Sequence, residues 1–296
     1  MNITEWGIFI ALDFFWGGMA VGTYIFSILF KKRNNQLSRL AAYISPVCLL
    51  IAMIFLVGHL GKPLNSIWVL LSFNFTSIIA WGSLFQGIFL IISILHAFMV
   101  FKNSKTITEI EIKGATPSIK LNEIKLGYIG LPFALLIGIY HGYLLMSLTG
   151  RPLWNSGLLP ILSVGAFITT GIALVMVVSK FSSKTSELNT ALQSSHKILI
   201  TAIIFQFFAV LMWVSSLWFG GVEKKDAVIK MFSNNVFSFW IMALFIGLII
   251  PIILWVKDVI HNRKTGYLKF THPIITSIFV LIGAFFLRYV IIIAGQ

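Results

Sequence analysis

The sequence predicts an all-α integral membrane protein of eight transmembrane helices, and three observations carry that prediction. Of 296 residues, 58% are hydrophobic and only 10% are charged, whereas a soluble domain carries about a quarter charged residues. Eight apolar stretches are each long enough to cross a hydrocarbon core of about 30 Å, which takes about 20 helical residues. The net charge of +13 sits between those stretches rather than along them. It therefore reads as a topology signal and argues against nucleic acid as a partner.

The stretches fall near residues 5–30, 38–60, 77–101, 124–148, 156–180, 196–220, 234–257 and 272–294. The first follows Trp6 and is rich in small residues, Gly17, Gly18, Ala20 and Gly22. Gly18 and Gly22 form a G-x-x-x-G pair that lets a neighbouring helix approach closely. Glu5 opens this stretch ahead of its apolar run and no small-residue cleavage site follows, so it is expected to remain as a helix rather than to act as a cleaved signal. The second holds Cys48, the single cysteine, which leaves no partner for an intrachain disulfide and no Cys-ligated cluster or zinc site. The third is followed by the longest polar connection, Lys102 to Lys125, which is too short to fold as a domain.

The fourth stretch carries Tyr140 and His141 and runs into the turn Gly150 to Asn155, where Pro152 restricts the backbone and Trp154 is expected to anchor at the membrane interface. Trp154 is followed in the fifth stretch by Gly165, Ala166, Gly171 and Ala173, echoing the first. The echo suggests two four-helix halves, 1–149 and 150–296, in the same orientation within one membrane domain. The sixth contains Gln206, the seventh Pro251 and the eighth Arg288. Pro132, Pro160 and Pro251 are expected towards helix ends.

Orientation follows from counting Lys and Arg loop by loop. The connections after the first, third, fifth and seventh stretches hold sixteen, against five on the other side (Lys62, Arg151, Lys224, Lys225 and Lys230). The richer side should face the cytoplasm, placing both termini and the Gly150 to Asn155 turn outside a cytoplasmic membrane.

A charge at the centre of a membrane helix costs about 2.5 to 3.5 kcal/mol on insertion scales, so each one needs a reason. Asp13 and Arg288 are expected at similar depth, either paired with each other or other polar groups, or facing a polar pocket. His59, Tyr140 and His141 fall in the same outer half. The inner half offers only Gln86 and Gln206 near mid-depth, with His96 and His196 near the helix ends. A quinone suits such a pocket, because its head needs hydrogen-bond donors and proton-exchanging groups while its tail needs apolar helices. Haem b would need paired histidines, such as His59 with His141 or His96 with His196, and neither pair has a sequence signature; no haem is expected. An ion or solute transporter, or a redox-driven proton pump using Gln86 and Gln206, is the competing class. It should place ionisable groups at the midplane.

Five motifs in order along the chain resemble the polysulfide-reductase-type, or NrfD-like, quinone-interacting membrane subunits. They are A-L-D-F-F-W-G-G-M-A-V-G (Ala11 to Gly22), H-L-G-K-P (His59 to Pro63), F-N-F-T-S-I-I-A-W-G (Phe73 to Gly82), Y-H-G-Y-L-L with G-R-P-L-W-N (Tyr140 to Leu145, Gly150 to Asn155) and L-R-Y-V-I-I-I-A-G-Q (Leu287 to Gln296). The resemblance implies a membrane anchor exchanging electrons between menaquinone and an outer four-cluster ferredoxin-like iron-sulfur subunit, often beside a molybdopterin catalytic subunit. Iron-sulfur clusters and molybdopterin would then belong to partner chains, with no metal in this one. It further implies quinone contacts from Asp13 and Tyr140. The position of the other polar residues adds His59, His141 and Arg288 to that pocket and Lys62, Arg151 and Trp154 to the surface that meets the docked partner, with Arg151 equally readable as a simple loop charge. The family's first helix also carries His or Asn near Asp13, and Lys62 stands where Arg is more frequent.

Overall fold

The computed structural model describes residues 6–59, 74–111, 120–181, 186–265 and 273–296. Among them the regular structure is helical throughout, without a strand. The helices are α1 (Ile8–Leu29), α2 (Asn35–His59), α3 (Ile78–Glu111), α4 (Lys120–Met146) and α5 (Leu159–Val178, closed by a 3₁₀ turn, Ser179–Phe181). They are followed by α6 (Ser186–Trp218), α7 (Val222–Asn234), α8 and α9 (Pro273–Ala294). α8 begins as a wide π-helical run, Val236–Ile249, in which the Ile250 N–H returns five residues to the Phe245 carbonyl, and continues as the α-helix Ile250–Thr265. All but α7 contain a segment long and apolar enough to span a membrane, eight in total. In hydrocarbon only internally hydrogen-bonded elements are tolerated, which is why so apolar a chain is a helix bundle.

α1 lies at the centre, packed against α2, α4, α5 and α9. Its small residues make this possible. A Cβ on Gly22 would fall 1.9 Å from the Phe167 carbonyl oxygen, and one on Gly171 would fall 2.2 Å from the Gly22 carbonyl carbon. α1 and α5 therefore meet backbone to backbone, the close approach that small residues permit between membrane helices. Gly247 and Gly283 make the same kind of contact between α8 and α9. Proline is placed where it costs little or is absorbed: Pro160 lies in the first turn of α5, whereas Pro46 and Pro132 lie inside α2 and α4. Pro132 is thus deeper in its helix than expected from the sequence.

The two ends of the bundle differ in character. At one, the Trp6 N–H donates to Gln296 Oε1 at 2.8 Å, and Gln296 Nε2 donates back to the Trp6 carbonyl. The Trp154 indole stacks near Trp6, with ring centroids 5.2 Å apart, and its N–H donates to the Ile291 carbonyl at 2.6 Å. Residues 6 and 296 and the α4–α5 turn therefore share one face. At the opposite end Lys31 pairs with Glu123, Asn103 donates to the other Glu123 oxygen at 2.7 Å, and Arg39 donates to Ser104 at 2.8 Å.

Two features depart from the hydropathy reading. α3 and α6 run about ten residues past the expected apolar stretches, because a helix continues into the solvated region wherever its polar turns can still hydrogen-bond internally. α7 was not expected as a helix. It is polar along most of its surface and buries Val228 and Met231, three residues apart, against the bundle end. Lys224 Nζ donates to the Asn155 carbonyl at 2.7 Å and the Lys225 ammonium lies 5.0 Å from the Trp218 ring centroid, tying α7 to its neighbours.

Candidate functional site

α1, α4 and α9 bring Asp13, His141 and Arg288 to a common depth. Asp13 is five residues from the start of α1, His141 five from the end of α4 and Arg288 six from the end of α9, about 8 to 9 Å along each helix at 1.5 Å per residue. All three side chains are buried.

His141 is held by aromatic edges. Its ring lies 4.5 Å from Phe14 and 5.3 Å from Phe167, both edge-on, and its Nδ1 bonds to the Ile137 carbonyl at 2.9 Å. A Cβ on Gly17 would touch the far side of the imidazole at 3.4 Å. Among the described residues the other nitrogen, Nε2, has no hydrogen-bond partner, and neither does Asp13 Oδ1. An unpaired polar atom buried in apolar surroundings costs about 1 to 3 kcal/mol, so two on adjoining faces of α1 and α4 mark a place where a polar ligand or water would be stabilised.

Tyr140 sits beside them at the edge of the bundle, half-buried, its ring centroid 5.6 Å from that of His141. Its phenol packs against Gly82 of α3, where a Cβ would come within 1.9 Å of the ring carbon that bears the hydroxyl. The Asp13 carboxyl is near enough to act electrostatically on that hydroxyl. Around this edge Trp81, Ile139 and Tyr143 are exposed on the membrane-facing surface.

Of the alternatives the sequence leaves open, Arg288 takes the pairing with other polar groups and forms no ion pair with Asp13. Instead Nη1 donates to the Ala284 carbonyl at 2.9 Å, Nη2 to Thr170 Oγ1 at 3.5 Å, and the guanidinium lies 5.5 Å and 5.3 Å from the Phe15 and Phe167 ring centroids. The reason is the azimuth. Arg288 meets α1 at Gly18, whose Cβ would fall 2.9 Å from Nη2. Five residues separate Gly18 from Asp13, which turns the carboxyl about 140° away around the helix. Arg288 also borders a small cavity of about 30 Å³ with Phe14, Ser163 and Leu287, room for one or two waters.

His59 is half-buried at the last residue of α2. Gly17 lies near Ala52, and Gly58 near Phe9, so α2 runs antiparallel to α1 and His59 stands roughly 6 Å nearer the surface than Asp13. Arg151 is half-buried in the α4–α5 turn, its carbonyl accepting the Trp154 and Asn155 N–H groups. Trp154 corrects the expectation of an interfacial anchor. Only 2% of it is exposed, so its indole closes the turn onto α9 instead of facing the interface or a partner. Lys62 lies outside the described residues.

Gly82, Gly17 and Phe167 shape the cluster, yet no charge or polarity singles them out in the sequence. Gly82 closes the Phe73 to Gly82 motif, but only the structure reveals it as the seat of Tyr140. No group of three or more His, Cys, Asp or Glu among the described residues is arranged to hold a metal ion.

Comparison with known proteins gives one family model, described as polysulphide reductase, NrfD, which matches residues 1–296. A protein NrfD homolog of Haemophilus influenzae is 26% identical over 98% of this chain and 94% of its own length. A polysulfide reductase subunit of Wolinella succinogenes is 24% identical over the whole of this sequence and 95% of its own. An Hdr-like menaquinol oxidoreductase integral membrane subunit of Archaeoglobus fulgidus is 27% identical over 90% of this chain and 65% of its own.

Proposed function

The chain belongs to the NrfD polysulphide reductase family of membrane subunits, and from that premise we propose that it is the quinone-binding anchor of a respiratory oxidoreductase complex. In this reading it passes electrons between menaquinone and an iron-sulfur subunit docked on the face that carries residues 6 and 296, beside a molybdopterin catalytic subunit. The naming of one relative as a menaquinol oxidoreductase subunit supports the choice of quinone.

The observation that carries the reading is the pair of buried, partnerless atoms Asp13 Oδ1 and His141 Nε2 beside the half-buried Tyr140. These groups fit a quinone head: an O–H donor at the membrane-facing edge, two proton-exchanging groups behind it, and apolar helices for the tail. The small cavity at Arg288 is too tight for the ring, which favours the edge between α3 and α4. A bound quinone supplies two-electron, two-proton chemistry. Tyr140 would donate its O–H to a quinone carbonyl oxygen, and Asp13, when protonated, would donate from its carboxyl group. His141 holds the buried side of the pocket, and His59, nearer the surface, exchanges protons with water. Arg288, without a carboxylate partner among the described residues, keeps the local potential positive and favours added negative charge.

Tyr140→Phe and Asp13→Asn should each lower quinol-linked turnover by about tenfold or more while the complex still assembles, because each removes one proton-bearing group at nearly constant volume. Turnover of purified complexes with a soluble quinol is the measurement. Wild-type turnover in both variants would overturn the site.

A further inference from the structure

We propose that the basic end of the bundle holds an anionic glycerophospholipid, its phosphate in a basin at the α1–α2 turn and an acyl chain in a groove between α1, α5 and α6. The basin is open and large, about 1040 Å³, and runs from the turn at Lys31 to Asn35 across to Thr190 and Ser194 of α6. Its described lining carries Lys31, Lys32, Arg33 and Arg39 and no carboxylate. Glu123 neutralises Lys31, which leaves Lys32, Arg33 and Arg39 to set the sign. Lys32 and Arg33 are exposed. The start of α2 opens onto the same space, adding the positive end of a helix dipole.

Charge alone would suit any anion. What selects a lipid is the second cavity, about 330 Å³, lined by Ile25, Leu29, Phe30, Ile168, Ile172 and Ile198. Arg33 borders both cavities, and its guanidinium lies 5.7 Å from the Phe30 ring centroid. A cationic basin joined at one arginine to an apolar groove along membrane helices matches a molecule with a phosphate at one end and a hydrocarbon chain at the other. Basic pockets between transmembrane helices recognise anionic headgroups by this combination.

The test titrates the full detergent-solubilised chain with phosphatidylglycerol, phosphatidylcholine, glycerol 3-phosphate or inorganic phosphate, and reads bound mass by native mass spectrometry. Phosphatidylglycerol should be retained at least tenfold more tightly than phosphatidylcholine, and the two water-soluble phosphates should not displace it at equal concentration. The double variant Lys32→Gln, Arg33→Gln should weaken phosphatidylglycerol by about fivefold for each cation removed, the equivalent of about 1 kcal/mol per basic residue. Both side chains are exposed, so the variant keeps its fold. Equal retention of the two lipids, displacement by the soluble phosphates, or an unchanged double variant would overturn the proposal. The readout involves no quinone chemistry, so its failure leaves the quinone reading standing.

Discussion

Gly82 decides where Tyr140 can lie. The phenol rests on a position that has no side chain, and any Cβ there would occupy the space of the ring carbon bearing the hydroxyl. Gly82→Ala should therefore push the hydroxyl out of place and lower quinol-linked turnover towards the level of Tyr140→Phe, without altering a single titratable group. Gly87 provides the control on the same helix, since a Cβ there meets nothing within 4 Å, and Gly87→Ala should leave turnover unchanged. Equal turnover in the two alanine variants would detach Tyr140 from the chemistry. Asp13, Tyr140, His141 and Arg288 were legible in the sequence because polar groups are costly at membrane depth. Their mutual arrangement was not. Depth follows from counting residues along a helix, but the azimuth that turns Asp13 away from Arg288 depends on which helix stands beside which.

Helix crossings set the scale above. α1 and α5 touch through Gly22 and Gly171 with no side chain between them, so an added methyl group must separate two backbones instead of displacing a flexible chain end. Gly22→Ala should destabilise the purified protein by about 1 to 3 kcal/mol, the usual cost of overpacking a close contact, seen as a lower midpoint of thermal unfolding. Gly58→Ala should cost little, because its Cβ would meet only the Phe9 ring, at 3.9 Å. Equal midpoints would mean the crossing is not tight. At this scale the sequence was most informative, since each hydrophobic span is long and has a physical length to match. It failed at α7, whose anchoring rests on two buried side chains, Val228 and Met231, among thirteen residues. Hydropathy averaged over a span cannot register so small a face, nor where α3 and α6 continue beyond the hydrocarbon.

For the molecule as a whole, contacts fix the arrangement of faces, and loop charge predicts their sidedness. Trp6, Trp154, Ile291 and Gln296 knit one end together, and the proposed lipid site lies at the other, where Lys31, Lys32, Arg33 and Arg39 gather. Loops rich in Lys and Arg stay on the cytoplasmic side during insertion, so the knitted end, with the Asp13 and Tyr140 cluster beneath it, should face outwards. The chain is suited to a direct test because its one cysteine, Cys48, is buried in α2. New thiols can then be introduced without removing a native one. In intact cells Arg151→Cys should react with a membrane-impermeant maleimide, whereas Lys32→Cys should react only after the membrane is opened. The reverse pattern would put the knitted end in the cytoplasm. An iron-sulfur partner on that end would then have to dock from the cytoplasm, and the quinone head would exchange its protons on that side.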